Sequence, residues 1–368
     1  MKNTFGESVC VTLFGESHGN AIGAILDGMA PGIRVNPDFI AHQMNLRRSV
    51  ASLSTARKEA DEVEILSGIK DGITTGTPIA FMIRNADTKS KDYESMKTVA
   101  RPGHADYTAY CKYHGFSDTR GGGHFSGRIT AGLVAAGAVA ITALSQIGIH
   151  IGTHIAKCAG VCDRDFEDYK KDIAELSEMS FAVLDADKAQ KMRTEIEAAK
   201  SDGDSVGGIL ETAVIGLPAG VGEPWFDTLE SVLAHGMFSV PAVKGVEFGK
   251  GFAFADMRGS EANDAFLTNG NNVWTETNHN GGILGGISNG MPILFRTAIK
   301  PTPSIYKSQN TIDFIKKENT ELMIHGRHDP AIIHRARVVV DSITALILCD
   351  MLALRYGTDF LKNGGNTK

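Results

Sequence analysis

ITAGLVAAGAVAITALSQI, residues 129–147, belongs to a stretch between Arg128 and Lys157 that contains no Asp, Glu, Lys or Arg. Ala, Gly, Thr, Ser and Ile supply most of it, and Gly148 interrupts it. A membrane-spanning helix needs about 20 strongly apolar residues, and this composition falls short of that. The stretch therefore predicts a central helix over about 129–147 that is buried inside the fold and followed by a strand, without contact with a membrane.

Strands are predicted on both sides of this helix. Alternating or continuous apolar runs between turn residues indicate strands at 8–14, 21–27, 63–69, 78–84, 149–160 and 207–215. Helices are predicted at 37–48, 186–200 (with Asp185 as N-cap), 227–238 and 331–355. The segment 281–301 predicts two strands joined by an Asn289-Gly290 turn. Because strands outnumber helices and often follow one another as hairpins, the pattern favours an α+β fold over a doubly wound α/β fold.

Composition limits the domain organisation and the classes of function. The 368 residues contain no linker and no repeat of fixed period, so we expect a single domain over 1–368 whose tail, 357–368, frays. A net charge of −6 disfavours non-specific binding of nucleic acid. The five cysteines are scattered, which predicts neither a disulfide framework nor a metal site. Because residues 1–10 lack the apolar core of a signal peptide, we expect a cytoplasmic protein.

A hydrolase motif occurs near the start of the chain. Gly15-Glu16-Ser17-His18-Gly19 matches G-x-S-x-G, the turn that presents the serine nucleophile of α/β-hydrolases. That turn must be followed directly by a helix, whereas AIGAILDGM (21–29) is strand-like and interrupted by glycine. A serine hydrolase that uses Ser17 is therefore an alternative that the context disfavours.

Arginine and histidine recur together in glycine-rich or irregular segments. Guanidinium groups suit bidentate contact with phosphate and carboxylate, and histidine suits general acid–base catalysis. The combination in an acidic protein predicts a small polyanionic substrate and proton transfer. The residues concerned are Arg47 with Arg48, Arg101 with His104, His124 with Arg128, and Arg327, His328 and Asp329 with Arg335.

At these segments the sequence resembles the chorismate synthase family over nearly its whole length. The motifs that carry the resemblance, in the family's order, are GESHG (15–19), VEILSG (63–68), RPGHADYT (101–108), GGG (121–123), AVKGVE (242–247), GGILGGIS (281–288), KPTPSI (300–305) and GRHDP (326–330). The resemblance implies a β-α-β sandwich with antiparallel sheets covered by helices, assembled as a homotetramer.

The resemblance also implies an activity and a cofactor. The family's lyases convert 5-enolpyruvylshikimate 3-phosphate to chorismate and phosphate by 1,4-anti elimination, in the shikimate pathway of aromatic amino acid biosynthesis. The reaction requires reduced FMN although it has no net redox change. The resemblance also implies a link to NADP, and we expect a separate flavin reductase to supply FMNH2. A non-catalytic flavin-binding relative is the second alternative.

Residue roles follow from the matching motif positions. His18 is similar to the acid that protonates the departing phosphate, and Ser17 and Ser126 to relay hydroxyls. His104 is similar to the histidine on the N1 side of the flavin, and Asp329 to the carboxylate near N5. The implied substrate-binding residues are Arg47, Arg48, Arg101, Arg128, Arg327 and Arg335. The implied FMN-binding residues are His124, Phe125, Ser126, Pro241, Ala242, Gly285, Lys300, Pro301, Thr302, Pro303, Ser304 and Arg327.

The sequence departs from the family's pattern at several places, among them Pro303, Ala331 and the segment 124–128. The usual Arg-Ser-Ser-Ala-Arg is replaced by His124-Phe125-Ser126-Gly127-Arg128. An arginine that faces the substrate and one serine are therefore missing. We expect this change to affect the phosphate-binding part of the site and the affinity more than the reaction.

Overall fold

Two antiparallel sheets enclose a layer of helices in the computed structural model, which describes residues 2–48, 61–85, 98–324 and 328–364. In chain order the strands are β1 (Thr4–Phe5), β2 (Cys10–Gly15), β3 (Ala21–Asp27), β4 (Glu64–Ser67), β5 (Ile69–Lys70), β6 (Ile73–Thr74), β7 (Ile79–Arg84), β8 (His150–Cys158), β9 (Val161–Cys162), β10 (Gly208–Ile215), β11 (Val243–Phe248), β12 (Phe266–Thr268), β13 (Val273–Thr275), β14 (Ile283–Leu284), β15 (Ile287–Ser288), β16 (Ile293–Ile299), β17 (Gln309–Asp313) and β18 (Glu318–Leu322). The helices are α1 (Pro37–Arg47), α2 (Asp106–Tyr113), α3 (Thr130–Gln146), α4 (Tyr169–Glu178), α5 (Ala186–Ser201), α6 (Leu229–Ser239), α7 (Gly259–Ala262), α8 (Ile333–Tyr356) and α9 (Phe360–Asn363).

The two large sheets have five strands each. The first has the order β1-β2-β3-β7-β4 and the second β11-β16-β10-β8-β9. Helix α3 packs on β3 and β7 of the first sheet, α8 packs on β8 and β10 of the second, and the two helices pack on each other. The predicted α+β class and the β-α-β sandwich are confirmed.

The uncharged segment forms α3, and 12 of the 17 residues of this helix are buried. Its small side chains allow a close approach to α8. A Cβ atom on Gly137 would lie 2.3 Å from Cβ of Ser342, so only glycine leaves room for the partner helix there. The segment Gly127–Gln146 is long and apolar enough for a membrane span, but 72 % of its most apolar window is buried inside the fold. A core helix accounts for it.

A ladder of charged side chains crosses the second sheet on the face opposite to α8. His154 of β8 donates to Asp163 from Nδ1 at 2.8 Å, and its Nε2 lies 3.2 Å from Glu211 of β10. A carboxylate oxygen of Glu211 lies 3.9 Å from Nη1 of Arg296 of β16, and Nε of Arg296 lies 2.8 Å from Glu247 of β11. Burial alone would lower the pKa of His154, but the two carboxylates outweigh burial and raise it.

The raised pKa of His154 predicts a pH-dependent contribution to stability. A histidine is unperturbed near pH 6.5 in the unfolded chain, so the contribution is fully present below about pH 6.5 and is lost as the pH rises through the folded-state pKa. We expect the free energy of unfolding, measured by urea titration between about pH 6 and pH 9, to fall more steeply in wild type than in His154→Gln. Equal slopes for the two proteins would contradict this.

The structure corrects two predictions. Asn289-Gly290 forms a turn, with Oδ1 of Asn289 accepting from the N–H of Met291 at 2.9 Å, but the strands on either side of it do not pair. Instead β14 pairs with β15 across Gly285-Gly286, because β16 is already paired with β10 and β11 on its two edges. The predicted fraying tail contains α9, whose Leu361 is completely buried; residues 365–368 lie outside the described residues.

Candidate active site

A cavity of about 1060 Å³ opens between β2, the start of α2, the glycine loop before α3, the end of α6 and the start of α8. It lies at the upper end of the range of ligand sites, about 300–1,000 Å³, and so has room for a cofactor together with a substrate. Thirteen of the predicted site residues line it: His18, Arg101, His104, His124, Phe125, Ser126, Pro241, Ala242, Lys300, Thr302, Pro303, Ser304 and Asp329.

The GESHG segment is the turn from β2 to β3. Strand β2 ends at Gly15 and the next element is the strand that begins at Ala21, so the helix that a nucleophile elbow requires does not follow Ser17. The N–H of Ser17 donates to the carbonyl of Gly123 at 3.1 Å, and its side chain is buried below the cavity surface. His18 is the residue of this turn that lines the cavity.

The glycine loop 121–123 lies between two histidines. Gly121 has a φ of 60°, and a Cβ atom there would lie 2.0 Å from Cε1 of His18. Gly122 has a φ of 87°, and its Cβ would lie 3.5 Å from Cε1 of His104. Both φ angles favour glycine, because other side chains would be strained there, and at Gly121 an added Cβ atom would also displace His18. The loop therefore places His18 and His104 against neighbouring residues of one segment.

His104 is oriented by an acidic residue two positions further on. Asp106, in the first turn of α2, accepts from Nδ1 of His104 at 2.9 Å and from Nε and Nη2 of Arg101 at 2.8 and 2.7 Å. Burial would raise the pKa of Asp106, but the hydrogen bonds and charges of Arg101 and His104 hold it well below its usual range. Nδ1 of His104 also lies 3.0 Å from Nη2 of Arg101, so the ring is held by both members of the Arg101–Asp106 ion pair.

The segment His124-Phe125-Ser126, which differs from the family's sequence pattern, forms part of the cavity wall. Nδ1 of His124 donates to the carbonyl of Gly15 at 2.8 Å, which fixes the ring beside the end of β2. Phe125 is 39 % exposed and packs edge-on against Tyr113, with 6.1 Å between ring centroids. Oγ of Ser126 accepts from the N–H of Arg128 at 3.3 Å, as the N-cap of the short 3-10 helix Gly127–Ile129. Phe125 therefore offers an aromatic face to a planar ligand.

The KPTPS segment follows β16 along another wall. The N–H of Lys300 donates to the carbonyl of Ala242 at 2.9 Å, which joins this segment to Pro241-Ala242. Nζ of Lys300 donates to the carbonyl of Gly103, and the carbonyl of Thr302 accepts from Ser205 at 2.7 Å. The ammonium group of Lys300 and the hydroxyls of Thr302 and Ser304 therefore belong to one wall of the cavity. Such hydrogen-bond donors suit a phosphorylated ligand.

Several predicted site residues lie elsewhere. Among the described residues that line the cavity, Ser17, Arg47, Arg48, Arg128, Gly285, Pro301 and Arg335 are not found. Arg327 lies outside the described residues. Gly285 is in the β14–β15 turn.

Three of these arginines are paired with carboxylates, and the side chains of two of them, Arg47 and Arg128, are buried. Arg47 and Arg128 both contact the buried Asp61. Arg335 contacts Asp329 and donates to the carbonyl of Arg47 at 3.0 Å. These three guanidinium groups pair with carboxylates of the protein and are not among the described residues that line the cavity.

Sequence reasoning missed three lining residues with titratable side chains: Lys2, His235 and Lys244. Lys244 lies inside the motif AVKGVE, and motif membership was the available signal; Lys2 and His235 carried none. His328, which the sequence analysis grouped with Asp329, also lines the cavity. Burial, and secondarily the charge of Arg101, lowers the pKa of His328. Within the ranges that the structure describes, no group of three or more His, Cys, Asp or Glu side chains could hold a metal ion.

Comparison with known proteins agrees with this geometry. The family model described as chorismate synthase matches residues 9–353. Chorismate synthase of Dehalococcoides mccartyi is 47 % identical over 97 % of this chain and 98 % of the relative, and that of Thermococcus gammatolerans is 44 % identical over 95 % and 97 %. A crystal structure of chorismate synthase superposes with a TM-score of 0.75 at 28 % identity, covering 97 % of this chain and 95 % of that chain. The chain therefore belongs to the chorismate synthase family.

Proposed function

We propose that the cavity binds reduced FMN beside 5-enolpyruvylshikimate 3-phosphate, and that His18, His104 and Asp329 carry out the proton transfers of the elimination. Membership of the family makes the chain a lyase of the shikimate pathway, which produces the precursor of the aromatic amino acids. The observation that carries the proposal is that three proton-transfer side chains share one cavity with the KPTPS wall. The aromatic face of Phe125, the cation of Lys300 and the cavity volume fit a flavin phosphate.

The reaction breaks a C–O bond to phosphate and a C–H bond of the ring, and forms a new C=C bond. A bound reduced flavin supplies electron density as the phosphate leaves. His18 donates a proton to the departing phosphate, which would otherwise leave as a more highly charged anion. Asp329, held by Arg335, keeps a carboxylate at the cavity as the base for the hydrogen lost from the ring.

His104 acts on the cofactor's side of the cavity. Its Nδ1 is engaged by Asp106 and Arg101, so we assign to Nε2 the exchange of protons or the acceptance of a hydrogen bond. Arg101 commits two of its nitrogens to Asp106, which fixes the guanidinium as a positive charge at the cavity wall. Ser17 and Ser126 are proposed to relay protons toward His18 and the solvent.

The remaining parts of the proposal come from family membership. They are a homotetrameric assembly, a single domain over 1–368, a cytoplasmic location, and a separate NADP-linked reductase that supplies FMNH2. His124-Phe125 in place of the family's arginine and serine reduces the positive charge near the phosphate. This residue change is proposed to weaken substrate binding without removing the reaction.

Flavin binding tests the assignment of the cavity. Lys300→Ala should weaken FMN binding by about tenfold or more, because it removes a charge-assisted contact with phosphate. Its binding of riboflavin, which lacks the phosphate, should change little. Quenching of flavin fluorescence measures both, with Lys191→Ala on the exposed face of α5 as the matched control. Equal losses for FMN and riboflavin, or none for either, would count against a phosphate site at Lys300.

A further inference from the structure

The turn that carries His18 is held from behind by one amide side chain. Nδ2 of Asn85, the residue directly after β7, donates to the carbonyls of Glu16 and Gly19 at 3.0 and 2.8 Å. These two carbonyls bracket Ser17 and His18. The N–H of Asn85 also donates to the carbonyl of Asn20 at 3.2 Å. Three backbone carbonyls that flank Ser17 and His18 are therefore fixed relative to β7.

The orientation of this amide is determined by its neighbours. Oδ1 of Asn85 accepts from Nε of Arg128 at 3.1 Å, so its NH2 group must face the two carbonyls. An aspartate at this position keeps the acceptor for Arg128 but turns an unprotonated oxygen toward two carbonyl oxygens. Asparagine is thus the side chain that satisfies the turn and the guanidinium together.

The guanidinium is in turn fixed by buried charges. Arg128 contacts Asp61, and Asp61 also lies 3.7 Å from Nη1 of Arg47. Nη2 of Arg47 donates to the carbonyl of Arg128 at 3.2 Å, and the side chains of Asp61, Arg47 and Arg128 are all about 95 % buried. Since breaking a buried ion pair is costly, Arg128 is a rigid point of attachment for Asn85.

We propose that Asn85 is a positioning residue that holds the imidazole of His18 at the proton-donating geometry, anchored through Arg128 to Asp61. Asn85 is not among the described residues that line the cavity, so it acts through His18 and not on the substrate. Misplacement of a catalytic group by about 1 Å costs up to ~100-fold in rate, so a lost anchor of the turn has a measurable effect. The inference rests on the proposed role of His18 as the general acid.

A double-mutant cycle on the full-length enzyme tests this. Asn85→Ala and Asn85→Asp should each lower kcat by about tenfold or more and leave KM within about twofold. In the His18→Ala background the same substitutions should change kcat by less than about twofold, because the group that they position is gone. The exposed Asn20→Ala, in the same turn, is the matched control and should leave kcat unchanged in both backgrounds.

The outcomes separate the possible roles. An equal loss of kcat in both backgrounds would make Asn85 merely structural and overturn the inference while leaving the role of His18 intact. Wild-type kcat in Asn85→Asp would also overturn it, since that variant keeps the contact with Arg128 and loses only the hold on the turn. Wild-type kcat in His18→Ala alone would overturn the proposed acid, and the positioning role with it.

Discussion

Turnover of 5-enolpyruvylshikimate 3-phosphate is expected only when FMN is supplied in its reduced form, in the absence of oxygen. The ring hydrogen that must leave is not acidic and the leaving group is a phosphate, so side chains alone have no low-energy route to the elimination. In the proposed mechanism His18, His104 and Asp329, which line the cavity, transfer the protons, and a bound reduced flavin would supply the electron density that the departure of phosphate requires. Chorismate and phosphate, each measured against time, should appear in equal amounts while the reduced FMN is not consumed.

Two controls give this experiment its meaning. Oxidised FMN at the same concentration should give no chorismate, which excludes an elimination that needs only flavin binding. A protein that binds both flavin forms yet forms no chorismate with either would instead be the non-catalytic flavin-binding relative. Stoichiometric oxidation of the flavin would contradict a reaction without net redox change.

The elements of the fold were predictable where the pattern is local. A strand shows its pattern of apolar residues within a few consecutive positions. The observed bounds of β3 and β7 therefore lie within one residue of the predicted segments. Asp185 accepts hydrogen bonds from the N–H groups of Asp187 and Lys188, as its position before α5 predicted. The failure at Asn289-Gly290 has a different origin. That turn has hairpin chemistry, but the pairing of β16 is decided by β10 and β11, which are distant in sequence.

The residues of the candidate site also fall into two groups: those that one local motif predicts and those that only the fold brings together. His104, Arg101 and Asp106 lie within six consecutive residues, so one motif carries the whole hydrogen-bonded group. The anchor of His18 is separated from it by more than sixty residues of chain, and Asp61 is equally far from Arg128. Nothing in a single sequence marks such pairs. The same reason applies to Arg47 and Arg128: their residue type predicts an anion partner, but only the fold shows that Asp61 is such a partner.

Replacing His18 with alanine is expected to lower kcat by on the order of 10²-fold or more, the scale of a lost general acid. Replacing Ser17 should cost less. Its hydroxyl is buried beneath His18 and does not line the cavity, so in a relay role a water molecule can partly replace it. A serine hydrolase would give the opposite order, since the nucleophile would then be indispensable. The measurement is kcat with reduced FMN for both variants, with FMN binding as the control for an intact cavity. A larger loss in Ser17→Ala than in His18→Ala, or a covalent adduct of Ser17 with a serine-directed phosphonate, would contradict the assignment of the acid to His18.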